Sequence, residues 1–186
     1  MNIVPLAIPD VLLFEPRVFE DDRGFFFESF NMKVFTEAAG SANFVQDNFS
    51  RSAQGVLRGM HYQIVRPQGK FVRVTAGEVF DVAVDIRQDS PTFGRWVGEY
   101  LSASNRNALW IPEGFAHGFL VMSEFADFQY KVTDYWYPQY ERCLRFDDPD
   151  VVIEWPSIPS ESGISPPPML SKKDRQGAAL SALEVP

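Results

Sequence analysis

The sequence predicts an all-β fold, an antiparallel sandwich or barrel, and three observations support this. First, apolar residues alternate with a period of two in residues 71–86, where Val72, Val74 and Ala76 share one face. Second, short β-rich runs separated by turn signals follow at residues 96–101, 109–111, 119–122 and 128–133. Third, helical signals are few and short. Short strands at this spacing are typical of antiparallel sandwiches and barrels.

The alternating segment contains a second apolar face after a turn. Gly77 marks the turn. The face that follows it is formed by Phe80, Val82, Val84 and Ile86. The pattern therefore predicts one strand on each side of Gly77.

Two short segments carry helical signals. In residues 31–40, Asn31 can cap the start of a helix and Gly40 can end it in a left-handed conformation. Near the C-terminus, Ser171 and Asp174 have the spacing of an N-cap and an N3 residue, which predicts a C-terminal helical segment. Residues 156–168, before this segment, are rich in Pro and Ser and predict a surface crossing or linker without regular structure.

Length and composition predict one domain over residues 1–186. A chain of 186 residues is within the usual size of a single domain, and 45% hydrophobic and 15% aromatic residues supply enough apolar area for a sizeable core. This composition excludes an intrinsically disordered chain. No internal repeat indicates a second domain.

Charge and cysteine content bear on partners and compartment. The net charge of −8 would repel a nucleic-acid backbone, so general nucleic-acid binding is not expected. The N-terminus lacks the basic start of a signal peptide, and no apolar run is long enough to predict a membrane span. The single cysteine, Cys143, cannot form an intrachain disulfide, which favours the cytoplasm.

The two histidines, His61 and His117, are candidates for acid–base chemistry, and each lies beside glycines. Jelly-roll enzymes that use a metal usually place two or three imidazoles close together, so a metal site is not expected here. Spacing alone nevertheless leaves a site of two histidines and a carboxylate open. The alternative for either residue is a hydrogen-bonded structural histidine.

Cationic residues near His61 suit an anionic substrate. Arg58 lies shortly before His61, and Lys70 follows it. In a regular strand Arg58 and His61 would face opposite sides, so a glycine and the strand twist must bring them together. The alternative for Arg58 and Lys70 is a solvated surface charge.

Two further segments offer binding groups. In residues 20–30, Arg23 precedes a run of phenylalanines, which suits a diphosphate on the arginine and a base or sugar ring on an aromatic face. Core packing is the alternative for most of these rings. Gln46 and Asn48 add hydrogen-bonding groups just ahead of the His61 stretch.

Tyr130 alternates with Phe128 and Val132, so we expect it to point inward. An inward tyrosine is more often a core residue whose hydroxyl finds a backbone partner. A phenol near an imidazole would also supply an acid and a base in one cavity without metal. That pair suits removal and return of a proton at a carbon beside a carbonyl.

Six segments resemble the dTDP-4-dehydrorhamnose 3,5-epimerase family in order and spacing. They are EDDRGFFFESF, FVQDNFSRSAQGVLRGMHYQ, GKFVRVTAGEVFDVAVDIRQDSPTFGRW, LWIPEGFAHGF, YKVTDYW and LSKKD. The resemblance spans most of the chain. It implies a cupin-like jelly roll, a homodimer, and no metal or organic cofactor. The implied reaction is epimerisation at C3 and C5 of dTDP-4-dehydro-6-deoxy-D-glucose to dTDP-4-dehydro-L-rhamnose.

The resemblance also implies residue roles. His61 resembles the base, Tyr130 the acid on the opposite side, and Asp174 the carboxylate that pairs with the histidine. Lys70 resembles the cation near the C4 oxygen, where it would stabilise an enolate. The residues that match substrate contacts are Arg23, Phe26, Glu28, Gln46, Asn48, Arg58, His117, Tyr135 and Glu141.

Two features depart from the family pattern. Trp136 stands where the family commonly has the second tyrosine of a pair, and the segment rich in Pro and Ser lengthens the approach to LSKKD. Because of Trp136, a mono-epimerase that inverts only C3 or C5 is an alternative. Two less favoured alternatives are a metal-dependent cupin that uses His61 and His117, and a non-catalytic jelly roll that binds a sugar nucleotide.

Overall fold

The computed structural model describes residues 1–160 and 162–185, which fold mainly into β-strands. The strands are β1 (Asn2–Pro5), β2 (Leu12–Glu15), β3 (Val18–Asp21), β4 (Gly24–Phe27), β5 (Gln46–Ala53), β6 (Leu57–Gln63), β7 (Lys70–Ala76), β8 (Glu78–Asp85), β9 (Trp96–Ser102), β10 (Ala108–Ile111), β11 (Phe115–Val121), β12 (Phe125–Val132) and β13 (Glu141–Cys143). The helix α1 spans Met32–Ala39, and single 3₁₀ turns span Asp174–Gln176 and Leu180–Ala182.

Two sheets pack face to face. The six-stranded sheet has the order β1-β2-β10-β7-β12-β5, and the five-stranded sheet has the order β13-β6-β11-β8-β9. Neighbouring strands in both sheets are antiparallel. Strands β3 and β4 form a separate antiparallel hairpin. The all-β, antiparallel architecture predicted from the sequence is therefore confirmed.

Strand β8 is buried on both of its faces, which explains the second apolar face predicted after Gly77. Val79 and Ala83 belong to the core between the two sheets. Val82 and Val84 point the other way, into a second apolar cluster that the C-terminal region covers. Strands β7 and β8 lie in different sheets, so the turn at Gly77 carries the chain from one sheet to the other.

The helix α1 forms where the capping signals predict it. The Asn31 side chain accepts hydrogen bonds from the backbone N–H groups of Lys33 and Val34, which have no partner within the helix. Gly40 ends the helix with a φ of 83°. Phe35 is the buried residue of the helix and packs into an aromatic cluster on the outer side of the six-stranded sheet.

The predicted C-terminal helical segment is present as two single 3₁₀ turns. Ser171 Oγ accepts a hydrogen bond from the Asp174 N–H at 3.1 Å, as their spacing predicts. Backbone pairing of Ala178 with Cys143 and Arg145 then separates the two turns. The described part of residues 156–168 contains neither helix nor strand, as expected for a chain rich in Pro and Ser.

Residues 1–160 and 162–185 include no helix that is both long enough and apolar enough to cross a bilayer.

Candidate active site

A cavity of about 390 Å³ opens between the two sheets and brings together residues from distant parts of the chain. The six-stranded sheet contributes Lys70 and Tyr130, and the five-stranded sheet contributes His61 and His117. Eight of the predicted catalytic and substrate-binding residues line this cavity: Gln46, Asn48, Arg58, His61, Lys70, His117, Tyr130 and Glu141.

A β-bulge places Arg58 and His61 on the same side of β6. Arg58 pairs with Phe119 and His61 pairs with His117, so Gly59 and Met60 together face the single residue Gly118. One extra residue reverses the alternation of side chains beyond it. The strands also approach closely here, since a Cβ on Gly118 would lie 2.6 Å from the Arg58 carbonyl oxygen. The sequence analysis expected a glycine to bring Arg58 and His61 to the same side of the strand. The bulge at Gly59 does this, and both side chains line one cavity.

His61 and Asp174 form a hydrogen-bonded pair beneath the cavity. His61 Nε2 lies 2.6 Å from Asp174 Oδ1, across a separation of 113 residues. Burial alone would raise the pKa of the Asp174 carboxyl, which is 4% exposed, but the hydrogen bond and charge of His61 outweigh burial and lower it. Asp174 is therefore ionised at neutral pH, so Nε2 carries the proton and donates it. In the neutral imidazole the lone pair is then on Nδ1.

Two backbone contacts bring Asp174 to this position. Met169 pairs in parallel with Val56, and its N–H donates to the Gly55 carbonyl at 2.7 Å. Further along, the Ala178 N–H donates to the Cys143 carbonyl at 2.8 Å. Gly177 permits the second contact because a Cβ there would lie 2.7 Å from the backbone of Arg145. The C-terminal segment is thus attached to the five-stranded sheet on both sides of Asp174.

His117 is held by a carboxylate of its own. His117 Nε2 lies 2.9 Å from Asp81 Oδ2, and the Asp81 side chain is fully buried. Sequence analysis missed Asp81. Its position in β8 provides a signal, because alternation places it on the inner face with Val79 and Ala83. A carboxylate on that face requires a buried partner.

Lys70 is an almost fully buried cation beside the histidine. Its side chain is 6% exposed, and Nζ donates to the His61 carbonyl oxygen at 3.2 Å. Burial lowers the pKa of Lys70 to about 8, although the negative charges of Asp81 and Glu141 partly oppose this. At neutral pH the ammonium is largely charged.

Tyr130 reaches the cavity from β12, on the sheet opposite His61. Burial and the charge of Glu141 raise the pKa of the Tyr130 phenol, and the charge of Arg58 lowers it by less. The phenol therefore keeps its proton at neutral pH. Glu141 in turn forms an ion pair with Lys173, a cavity residue that sequence analysis missed.

Polar side chains line the rest of the cavity. Arg58 Nε donates to Ser52 Oγ at 2.9 Å, which fixes the guanidinium at the cavity wall. Gln46 Nε2 donates to Asn48 Oδ1 at 2.9 Å, and Gln46 Oε1 accepts from the Trp136 N–H at 3.3 Å. Trp136, noted as a departure from the family pattern, therefore lies at the cavity edge with its ring half-exposed.

Four predicted substrate contacts lie outside this cavity. Arg23 and Phe26 line a separate cavity at the β3–β4 hairpin, and Phe26 is 71% exposed. Glu28 accepts a hydrogen bond from the Asn31 side chain at the start of α1. Tyr135 is half-exposed, and its carbonyl oxygen accepts from Gln63 Nε2.

The geometry provides an acid–base site. A histidine with an ionised carboxylate, a protonated phenol and a buried ammonium surround one cavity, and cations and amides line its walls. His61 and His117 are direct cross-strand partners, yet each Nε2 is bound to a different carboxylate. These groups suit proton transfer at a carbon next to a carbonyl.

Comparison with known proteins agrees with this geometry. Residues 5–182 match the model of the dTDP-4-dehydrorhamnose 3,5-epimerase family. The chain belongs to this family. It is therefore an epimerase, an enzyme of the isomerase class.

Individual members of the epimerase family are similar over nearly the whole chain. The dTDP-4-dehydrorhamnose 3,5-epimerase of Pseudomonas aeruginosa is 62% identical over 97% of both chains. The enzyme of the same name from Shigella flexneri is 56% identical over 95% of this chain and 94% of its own. A crystal structure of dTDP-6-deoxy-D-glucose-3,5-epimerase from Legionella pneumophila, in complex with dTDP-4-keto-L-rhamnose, has a TM-score of 0.93 and 49% identity, and covers 100% of this chain and 97% of its own. The expected cupin-like fold is thereby confirmed.

Proposed function

We propose that this epimerase inverts C3 and C5 of dTDP-4-dehydro-6-deoxy-D-glucose to give dTDP-4-dehydro-L-rhamnose, without a metal. One observation carries the proposal: His61, hydrogen-bonded to Asp174, lines a cavity from the five-stranded sheet, and Lys70 and Tyr130 line the same cavity from the facing sheet. The C4 ketone of the substrate acidifies both neighbouring C–H bonds. One base and one acid on opposite sides of the sugar can therefore act at both centres.

His61 is the base of this mechanism. Its Nε2–H donates to the ionised Asp174, which leaves the lone pair of Nδ1 free to accept a proton from carbon. The imidazolium that forms is stabilised by the carboxylate 2.6 Å away. Asp174 acts through the histidine, as its orienting and charge-balancing partner.

Lys70 stabilises the negative charge that develops on the C4 oxygen. Proton loss from C3 or C5 gives an enolate, whose charge needs a preorganised cation. The ammonium of Lys70 is buried, so water screens it less than it would a surface lysine. Its hydrogen bond to the His61 carbonyl keeps the cation beside the base.

Tyr130 returns the proton from the other side. Its raised pKa keeps the phenol protonated, as a general acid requires. Proton removal on one face and delivery on the other inverts the carbon. His61 then gives its proton to solvent and Tyr130 takes one from solvent, and repetition at the second carbon completes the double epimerisation.

The remaining cavity residues bind the substrate. Arg58 supplies a fixed cation for the diphosphate, and Gln46, Asn48, His117 and Glu141 supply hydrogen-bonding groups. Tyr135 lies next to the cavity residue Trp136 and completes the rim.

The epimerase acts as a homodimer in this proposal. Arg23 and Phe26 lie on a hairpin whose Phe25 packs over Arg106 and whose Phe27 packs over Arg73, outside the sandwich. The hairpin cavity and the catalytic cavity have no lining residue in common. A second subunit would cover the exposed phenylalanines and allow Arg23, Phe26 and Glu28 to reach its substrate.

We further assign the chain to one domain of residues 1–186 and to the cytoplasm, with neither nucleic acid nor membrane as a partner.

Solvent exchange tests the proposed reaction. In deuterated water the enzyme should incorporate deuterium at C3 and C5 of the dTDP-linked keto sugar. His61→Ala should abolish incorporation but still bind dTDP in calorimetry, and Tyr130→Phe should lower the rate by roughly 100- to 10,000-fold. Tyr100→Phe, which alters a tyrosine outside the cavity, is the matched control and should behave as wild type.

Each alternative gives a different result in this assay. Incorporation at only one carbon would indicate a mono-epimerase, in which Trp136 alters the orientation of the sugar. Loss of activity when a stoichiometric metal is removed would indicate a metal-dependent cupin. Binding of the sugar nucleotide without exchange in the wild type would indicate a non-catalytic binding protein.

A further inference from the structure

Three side chains, each of a type that binds metal ions, lie close together at the base of the active-site cavity. His61, Cys143 and Asp174 each offer one donor atom, and these atoms lie within 4.8 Å of one another. His61 and Cys143 are direct partners on the paired strands β6 and β13, and Asp174 reaches them from the first 3₁₀ turn. Over residues 1–160 and 162–185 no other set of His, Cys, Asp or Glu side chains satisfies this criterion.

The proposed reaction leaves Cys143 without a role. Its thiol makes one weak hydrogen bond, to the Leu144 carbonyl oxygen at 3.4 Å. Burial, with a smaller effect of Asp174, raises the pKa of Cys143 to about 12, so the thiol is protonated in the free enzyme. A nucleophilic or redox role is therefore disfavoured, and its position beside the histidine and the carboxylate remains to be explained.

Solvent reaches the group from more than one side. His61 lines the active-site cavity, and Cys143 lines a second cavity of about 300 Å³. The linings of both cavities include Tyr62, Glu141 and Lys173, so the two cavities are neighbours. Asp174 lines a third cavity, of about 280 Å³. A hydrated cation therefore has a route to each of the three donors.

We propose that Zn²⁺ binds to His61 Nε2, Asp174 Oδ1 and Cys143 Sγ and reversibly inhibits the epimerase. Zinc prefers four ligands from exactly these donor types, at about 2.0–2.3 Å, which places neighbouring donors about 3.3–3.6 Å apart. Nε2 and Oδ1, which lie 2.6 Å apart, must separate by about 0.7 Å to meet this geometry, and the sulfur lies within 4.8 Å of both. Water occupies the fourth position.

Binding changes the protonation of His61. When Nε2 binds zinc, its proton passes through water to Nδ1, and the thiol proton is released to solvent. The free site carries one negative charge, on Asp174. The zinc complex, with Asp174 and the Cys143 thiolate, is neutral, so the exchange of one Zn²⁺ for one proton balances.

Inhibition follows from this exchange. The lone pair of Nδ1, which takes the proton from the sugar carbon in the proposed mechanism, is lost when zinc occupies Nε2. Zinc also separates Asp174 from the imidazole that it stabilises. The inhibition rests on the proposed function, whereas binding of the metal by the three residues is independent of it.

Cobalt spectroscopy and zinc titration test the proposal separately. Co²⁺ replaces Zn²⁺ in such sites, and a Cys143 ligand should give a sulfur-to-cobalt charge-transfer absorption in the near ultraviolet. Equilibrium dialysis should show one high-affinity zinc per chain. In deuterium-exchange assays zinc should inhibit, and EDTA should restore full activity.

Cys143→Ala is the deciding variant. It should keep its activity without metal, lose the charge-transfer band and require at least about 100-fold more zinc for inhibition. Cys143→Ser, which preserves the size of the side chain, should weaken inhibition in the same direction and serves if the alanine variant is unstable. Equal zinc sensitivity in these variants, or a wild-type cobalt complex without the sulfur band, would overturn the proposal. A wild type that binds cobalt through sulfur but exchanges no substrate hydrogens would instead overturn the proposed function.

Discussion

The ammonium group of Lys70 donates a hydrogen bond to the main-chain carbonyl of His61 at 3.2 Å. The contact connects the buried cation of the site to the strand that carries the proposed base. Because Lys70 is 6% exposed, its charge depends on pH in a range where a surface lysine would stay protonated.

The activity should fall as Lys70 loses its proton. Its pKa of about 8 means that the ammonium is present below pH 8 and absent above it, so kcat should show a basic limb near pH 8. Tyr130 does not account for this limb because its pKa is raised above the ordinary value of 10.0. In Lys70→Arg the limb should move upward, since the guanidinium stays charged. If kcat of this variant still fell near pH 8, the titrating group would be a residue other than Lys70.

Asp174→Asn should retain the shape of the carboxylate and remove its charge. The imidazolium formed during proton transfer would then lose its partner at 2.6 Å, and an amide can hold the histidine in the wrong tautomer. We expect kcat to fall by roughly 100- to 10,000-fold while KM changes little. Steady-state kinetics would measure this. A fall confined to KM would show that Asp174 serves binding instead.

Gly177→Ala should impair catalysis more than it impairs stability. The new Cβ would lie 2.7 Å from the Arg145 backbone, so the segment that carries Asp174 must move away from β13. Such overpacking costs about 1–3 kcal/mol of unfolding free energy, and displacement of Asp174 should lower kcat at least tenfold.

Gly163→Ala is the control for this variant. Gly163 has a φ of +71° and open space around its Cβ position, so alanine strains the backbone by about 1 kcal/mol without moving the active site. Thermal unfolding and deuterium exchange should therefore show a less stable, fully active enzyme. If Gly163→Ala lost activity as well, lower stability alone would explain the effect at Gly177.

Asp85 should stabilise the fold above about pH 4. Burial alone would raise the pKa of its carboxyl, but hydrogen bonds from Arg87, Ser90 and Thr92 bring it to about 2, below its ordinary value of 3.8. The contribution is complete above pH 3.8 and is lost as the pH falls through 2.

Asp85→Asn should therefore lower the free energy of unfolding by about 1–2 kcal/mol at pH 7 and by much less at pH 2. Asp89→Asn, at an exposed position two residues beyond Arg87, is the control and should have little effect. Urea unfolding at both pH values would measure the difference. An equal loss at pH 2 and pH 7 would show that the amide disturbs packing instead.

Local patterns predicted the elements of the fold better than their assembly. Alternation around Gly77 identified β7 and β8, and Asn31 identified the start of α1, because each signal depends on near neighbours in the chain. Alternation did not show that β7 and β8 belong to different sheets. That assignment depends on which strands pair at long range, and a single sequence holds no local record of this.

In the candidate site, too, local signals identified some residues, whereas others depend on contacts between distant parts of the chain. His61 stood out because histidine is rare in this chain, whereas Asp174 was found only through family resemblance, since a carboxylate after Ser171 also fits the start of a helix. Asp81 was missed although the alternation in β8 placed it inside. Lys173 had no local signal, because its role depends on Glu141 in a different part of the chain.

Asp174, the proposed partner of His61, is supplied by a segment that follows every strand found in residues 1–160 and 162–185, and residues 156–168 connect this segment to the rest of the chain. The proposed base and the carboxylate that orients it are therefore separated by 113 residues of the chain. During synthesis on the ribosome, His61 is made well before its carboxylate partner. The pair is complete only once the last part of the chain has docked on the five-stranded sheet through Met169 and Ala178.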